Sequence, residues 1–416
     1  MRKILIFVVI LFLLSCNENP TNKKILVEFW TMQLKPTFTD YINNLINIYE
    51  KNNNNIKIKW IDVPSSEIEK KTLANIAGGT PPDLINLNPM FTSKMAELNA
   101  LEPLDDLTSN FKDLYLPNIW KASIFDGKTF GIPWYLSTSV TIYNKDIFRQ
   151  AGIDLSKVVI NFKELKSIGR KIKEKTKKYL FMPSLGDKDK LLQIFVQDGI
   201  DLLDKNNKPV FYTQQAVETL TYWVSLYKEN IIPRDSITEG HRASIDRFQT
   251  GSLAMLTTGP QFLRIIKENS PQLYKNLGVT YQLTGKSGKL NVGVMNLVIP
   301  KGSKHKDQAI KFAQFITNSE NQVNFCKLVP ILPSIQEALN NEYFQKISST
   351  ALIEDLARKI SVSQLKQSTI LIPPMKKSSE LIDKFSSIVN RAFLENVSPE
   401  EVLKQASLEW EKILKN

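Results

Sequence analysis

An α/β fold of two domains with parallel-rich sheets is what this sequence predicts, on three observations. The chain has 416 residues, enough for two domains of ordinary size that each bury a core. Its composition, 42% hydrophobic and 23% charged, is that of a globular protein. From Ile25 to Asn88, short apolar runs alternate with stretches of helical spacing. That order requires right-handed crossovers between parallel strands.

The elements follow from the residues in order. Met1, Arg2 and Lys3 give a positive start, and residues 4–14 are apolar but too few to span a bilayer. Leu13, Leu14, Ser15 and Cys16 close this stretch in the manner of a lipobox. Residues 1–15 therefore read as a signal peptide, Cys16 as a lipidated first residue, and 16–23 as a polar tether to the membrane. Residues 25–30 (ILVEFW) form a strand, and Phe38, Tyr41, Ile42, Leu45, Ile46 and Tyr49 recur at helical spacing. Ile56, Ile58 and Trp60 alternate with lysines as a second strand. Ser66 and Glu69 are spaced as a capping box for a helix that stops at Gly78 and Gly79. Residues 83–88 (DLINLN) give the third strand.

The most informative stretch is DGKTFGIPWYLSTSVTIYNKDIFRQAG, residues 126–152. It breaks at Asp126, Gly127, Gly131 and Pro133, sets Trp134 and Tyr135 side by side, and runs through a β-branched strand, 140–143. Asn144 then caps a short helix that Gly152 ends. Asn161 and Glu164 open another helix, and Gly186 lies in a polar turn. Val217, Leu220, Trp223, Val224 and Tyr227 make an amphipathic helix with Trp223 assigned to the core. Residues 252–258 read as a strand, Gly259 as a tight turn and Pro260 as the first residue of a helix. The free N–H groups of that helix start would face the strand end. Residues 292–300 form a strand, 309–317 a helix, and the tail from 343 is helical.

Charge and composition narrow the function. The net charge of +12 comes from scattered lysines, without a basic run interleaved with aromatics, so no nucleic-acid partner is expected. With Cys16 lipidated, Cys326 has no partner and reads as a small core residue. His241 and His305 lack neighbours at ligand spacing, so no metal and no cofactor is expected. A secreted hydrolase, the second alternative, would need a paired nucleophile and base or two facing carboxylates; no G-x-S-x-G or H-E-x-x-H occurs, and the pair Asp105 and Asp106 sits in a loop pattern. An adhesive surface protein would show repeats, and none occur.

Three blocks carry a resemblance. The first joins DGKTFGIP (126–133) to YNKDIFRQAG (143–152), the second is FQTGSLAMLTTGP (248–260), and the third runs from VIPKGSKHK (298–306) to ILPS (331–334). AGGTPPDL (77–84) and LEPLDDL (101–107) add to them. Together these resemble the extracellular solute-binding proteins of ABC importers, in particular the group that takes sugars and oligosaccharides. Where many relatives carry tryptophan after the glycine of the second block, this chain has Gln261 and Phe262.

The resemblance implies a two-lobed periplasmic-binding-protein-like fold, with the ligand in a cleft between lobes joined by crossing segments. Lobe one would comprise 24–135 and 292–330, lobe two 136–291 and 331–416, with crossings near Pro133, Asn291 and Val329. It implies a monomeric receptor without enzymatic activity, partnered by a small carbohydrate and by the transmembrane subunits of an ABC permease. A glycerol phosphate, a polyol or a peptide is the alternative ligand. Residues at strand ends, crossings and one helix start become the expected ligand contacts. These are Trp30, Thr31, Asn86, Asn88, Met90, Trp134, Tyr135, Ser137, Gly186, Gly259, Pro260, Gln261, Met295 and Asn296, with Trp134, Tyr135 and Asn296 foremost.

Overall fold

The computed structural model describes residues 24–158, 161–346 and 352–415. The signal peptide and the Cys16 lipidation site expected from the sequence lie outside them. Strands β1 (Ile25–Met32), β2 (Ile56–Val63) and β3 (Leu84–Leu87) pair in parallel on either side of β1. The connecting helix Thr39–Asn52 buries Ile42, Leu45, Ile46 and Tyr49. A hairpin of β4 (Ile124–Phe125) and β5 (Lys128–Thr129) turns at Asp126 and Gly127, both at positive φ. Then come β6 (Ile132–Thr138), β7 (Val140–Asn144), β8 (Met255–Thr258), β9 (Leu277–Thr280), β10 (Leu290–Val298), β11 (Leu332–Pro333) and β12 (Ser368–Thr369).

Two sheets result. The larger has the order β11-β6-β10-β3-β1-β2, with β12 beside β10, and the smaller has the order β8-β7-β9. Among the named strands of the described residues, parallel pairing is confined to β1 with β2 and β3 and to β10 with β12. The expected parallel-rich character therefore holds only for part of the large sheet. Strand β10 returns from the second lobe and runs antiparallel to β3 and β6, and the pairs β11–β6, β4–β5, β7–β8 and β7–β9 are antiparallel as well.

Each sheet has its own core. Around the large sheet Phe29, Trp134, Phe312 and Phe325 pack together. Trp134 stacks on Phe325 at 5.2 Å with 14° between the rings. Cys326 is buried beside them, and burial pushes its thiol pKa well up. In lobe two Phe195, Phe211, Phe385 and Trp410 meet edge to face, and Trp223 packs on Phe162 and Phe181.

The chain changes lobes where one sheet ends and the next begins. Strand β6 belongs to the large sheet through Thr138, and β7 joins the small sheet from Val140. The first crossing is therefore Ser139, not Pro133. Residues 331–344 also depart from expectation. Strand β11 pairs with β6, and Ile331, Leu332, Ile335 and Phe344 sit in the lobe-one core. The last passage to lobe two lies beyond them, since Leu371, Leu381, Phe385 and Trp410 belong to its core.

Buried amides tie the crossings together. Gln364 Nε2 donates to the Ser139 carbonyl at 3.1 Å, and its Oε1 accepts the Gln282 N–H at 2.7 Å. Gln282 Oε1 accepts the Asn291 N–H at 3.1 Å. Asn118 Nδ2 reaches the Leu365 and Ser368 carbonyls at 3.0 and 2.6 Å. Gln282 and Gln364 are both buried, so each bond replaces water that cannot reach the site. Gln364→Ala strands the Gln282 N–H and the Ser139 carbonyl. It is expected to lower unfolding free energy by about 1–3 kcal/mol per stranded group, read by urea denaturation.

Candidate functional site between the lobes

Two adjoining cavities lie at the junction of the lobes. The first encloses about 430 Å³ and the second about 290 Å³, and Asp189, Gln193 and Asn291 line both. Their volumes lie at the lower end of the range for ligand sites, roughly 300–1,000 Å³.

Lobe one supplies its wall of the first cavity from strand ends. The Asn88 side chain accepts the Phe91 N–H at 2.8 Å and caps helix Pro89–Glu97. That cap sets Met90 at the cavity, 43% exposed. Side chains alternate across β6, so Tyr135 and Ser137 line the cavity while Trp134 and Leu136 enter the core. Alternation along β10 leaves Met295 at the cavity and turns Asn296 inward, while the register shift opposite them places the extra residue, Trp134, on β6. Lobe two contributes residues 370–374, then Ser378 and Ile382 of helix Ser378–Val389. At the rim the Lys377 backbone N–H donates to the Glu97 carboxylate, and Lys376 lies 3.5 Å from Asp126.

The second cavity is cut into lobe two. Its floor includes Trp223, Phe162 and Phe181, and its polar wall includes Asp187, Asp189, Lys190, Gln197, His241 and Thr257. Asp187 accepts the His241 N–H at 3.1 Å, and Asp189 accepts from Gln193 at 2.8 Å. His241 Nε2 sits 2.9 Å from Thr258 Oγ1. Burial pulls the Lys190 and His241 pKa values down and pushes that of Asp187 up, each toward its neutral form.

The expected contacts divide sharply. Asn88, Met90, Tyr135, Ser137 and Met295 line the first cavity. Trp134 and Asn296, ranked foremost with Tyr135, are fully buried and line neither. Asn296 Oδ1 accepts from Ser123 Oγ at 3.0 Å and its Nδ2 donates to the Ala122 carbonyl at 3.4 Å. It fastens β10 to Ala122 and Ser123, just ahead of β4, and a Cβ at Gly131 would come within 2.9 Å of it. Thr31 is engaged by Asp62 and Trp60, and Trp30 gives its indole N–H to Glu28. Asn86 is buried against the Asn296 carbonyl.

Gly186 lines neither cavity, though the adjacent Asp187 does; a side chain at Gly186 would strike the Glu239 carbonyl. Gly259, Pro260 and Gln261 also stand outside both cavities. The Phe262 and Leu263 N–H groups donate to the Gly259 and Pro260 carbonyls, so that helix start offers fewer free donors than expected.

Sequence reading missed Met32, Asp189, Lys190, Gln193, Asn291 and residues 370–374. The paired prolines at 373 and 374 were the one available signal for the last of these. Trp134→Ala is expected to cost about 3–5 kcal/mol through the lost stack and the cavity left behind. Asn296→Ala should cost about 1–3 kcal/mol. Urea unfolding of both variants measures these losses.

A family model described as bacterial extracellular solute-binding protein matches residues 33–323. A crystal structure from Synechococcus sp. MITs9220, of a periplasmic-binding protein assigned provisionally to oligosaccharides, is 32% identical with a TM-score of 0.84. The match covers 93% of this chain and 98% of that one. A binding protein of Brucella abortus (strain 2308) is 26% identical over 90% of each chain. The diacetylchitobiose binding protein of Streptomyces coelicolor is 25% identical over 68% of each. With that span of matched sequence and the two-lobed architecture around a shared cleft, the chain belongs to the bacterial extracellular solute-binding protein family.

Proposed function

We propose that the protein is the receptor of an ABC importer, capturing a small carbohydrate between its lobes and presenting it to the permease. The observation that carries this is the first cavity, whose wall is built from both lobes beside the clasped crossings. A solute there touches both bodies at once, so its binding energy favours the closed arrangement. The carbohydrate reading is supported by the donors and acceptors that line the second cavity and by the similarity to a diacetylchitobiose binding protein.

The ligand leaves unchanged, because the cleft is a site for holding. Tyr135, Ser137, Asn88 and Met295 touch the solute from lobe one, and Gln193 and Asp189 from lobe two. The receptor acts as a monomer outside the cytoplasmic membrane, tethered through lipid on Cys16. No helix among the described residues is long and apolar enough to cross a membrane.

A thermal-shift screen of mono-, di- and oligosaccharides, with glycerol phosphates and peptides as counter-screens, tests the reading. One sugar class is expected to raise Tm by several degrees, as about 2.7 kcal/mol of stabilisation at a hundredfold excess over Kd requires. A shift by peptides alone, or turnover of the sugar, defeats it. Gln193→Ala should weaken that sugar about tenfold, or 1.4 kcal/mol, by calorimetry. Cys16→Ser should release the protein from the membrane fraction.

A further inference from the structure

The two cavities differ in chemistry, and their difference describes a ligand. Residues 370–374, Met90, Met295 and Ile382 make the first cavity mostly apolar. Tyr135 is its one aromatic ring, so it lacks the flat faces that stack an unsubstituted sugar. Thioethers, prolines and branched aliphatics instead suit a flexible apolar group of irregular shape.

The second cavity is the reverse. The Lys190 ammonium has no hydrogen bond or ion pair with another described residue, although it is enclosed among the cavity walls. Trp223 lines the same cavity, and its buried indole N–H also lacks a partner. Asp187 and Asp189 retain accepting oxygens. Unfilled donors beside carboxylate acceptors match hydroxyl groups, each of which gives one hydrogen bond and takes others. A phosphate supplies acceptors only. It would meet two carboxylates against one ammonium, in a setting where like charges are costly.

We infer that the ligand is an uncharged glycoside bound in a fixed direction. One hydroxyl-rich ring sits in the lobe-two cavity against Lys190, Asp187 and Asp189, and an alkyl or acyl substituent lies in the apolar cavity between the lobes. This rests on the carbohydrate reading above. Lys190 is then a specificity-determining residue for the ring, and Met295 for the substituent.

Calorimetry on the intact protein tests it with gluco, galacto, manno and xylo sugars, each as the methyl glycoside, the n-butyl glycoside and the sugar phosphate. For the sugar that binds, the butyl glycoside is expected to bind at least tenfold tighter than the methyl glycoside, since three more methylenes leave water. The phosphate should bind at least tenfold weaker than either. Lys190→Met should weaken every form of that sugar more than tenfold. Met295→Gln should shrink the butyl-to-methyl ratio to threefold or less. Equal affinity for methyl and butyl forms, or tightest binding of the phosphate, overturns the inference and leaves the carbohydrate reading standing. Failure of every form of every sugar overturns the inference, and failure of the di- and oligosaccharides in the thermal-shift screen as well overturns the carbohydrate reading.

Discussion

Two glutamine side chains hold the architecture at its narrowest point. Gln364 and Gln282 join Ser139, Asn291 and the last crossing through hydrogen bonds from buried side chains. Neutral amides suit this position. They satisfy backbone groups that leave the sheets without introducing a charge that burial would penalise. The same bonds link the crossing segments to one another. The cleft opens beside this clasp, and Asn291, which takes part in it, lines both cavities.

From that constraint the division of labour follows. Lobe one presents strand ends and a capped helix start, which are rigid and fix the geometry of the apolar cavity. Lobe two contributes the start of helix Lys190–Gln197, whose Asp189, Lys190 and Gln193 bring most of the polar chemistry to the cleft. Burial shifts Asp187 and Lys190 toward their neutral forms.

Much of this was legible in the residues. The β-α-β-α-β beginning, the family blocks and the burial of Trp223 and Cys326 all follow from spacing and motif. The errors have physical causes. Trp134 looked like a ligand contact because it sits beside Tyr135 at a crossing. Strand alternation sends neighbours to opposite faces, and only one of the two could reach the cleft. Asn296 follows the same rule, since alternation along β10 sends Met295 to the cleft and Asn296 to the buried face. Residues 331–344 were given to the wrong lobe because strand partners far apart in sequence are set by tertiary pairing. Lys190 carries no motif; it becomes notable only when the fold encloses it without a partner.

The sealed thiol of Cys326 has a practical side. It is sheltered beneath the Trp134–Phe325 stack region and held protonated by its surroundings, so alkylating dyes have neither access nor a thiolate to attack. In a soluble form lacking Cys16, cysteines introduced on opposite rims would therefore take up a fluorophore pair without background. The distance between the lobes could then be followed in single molecules without first removing a native cysteine.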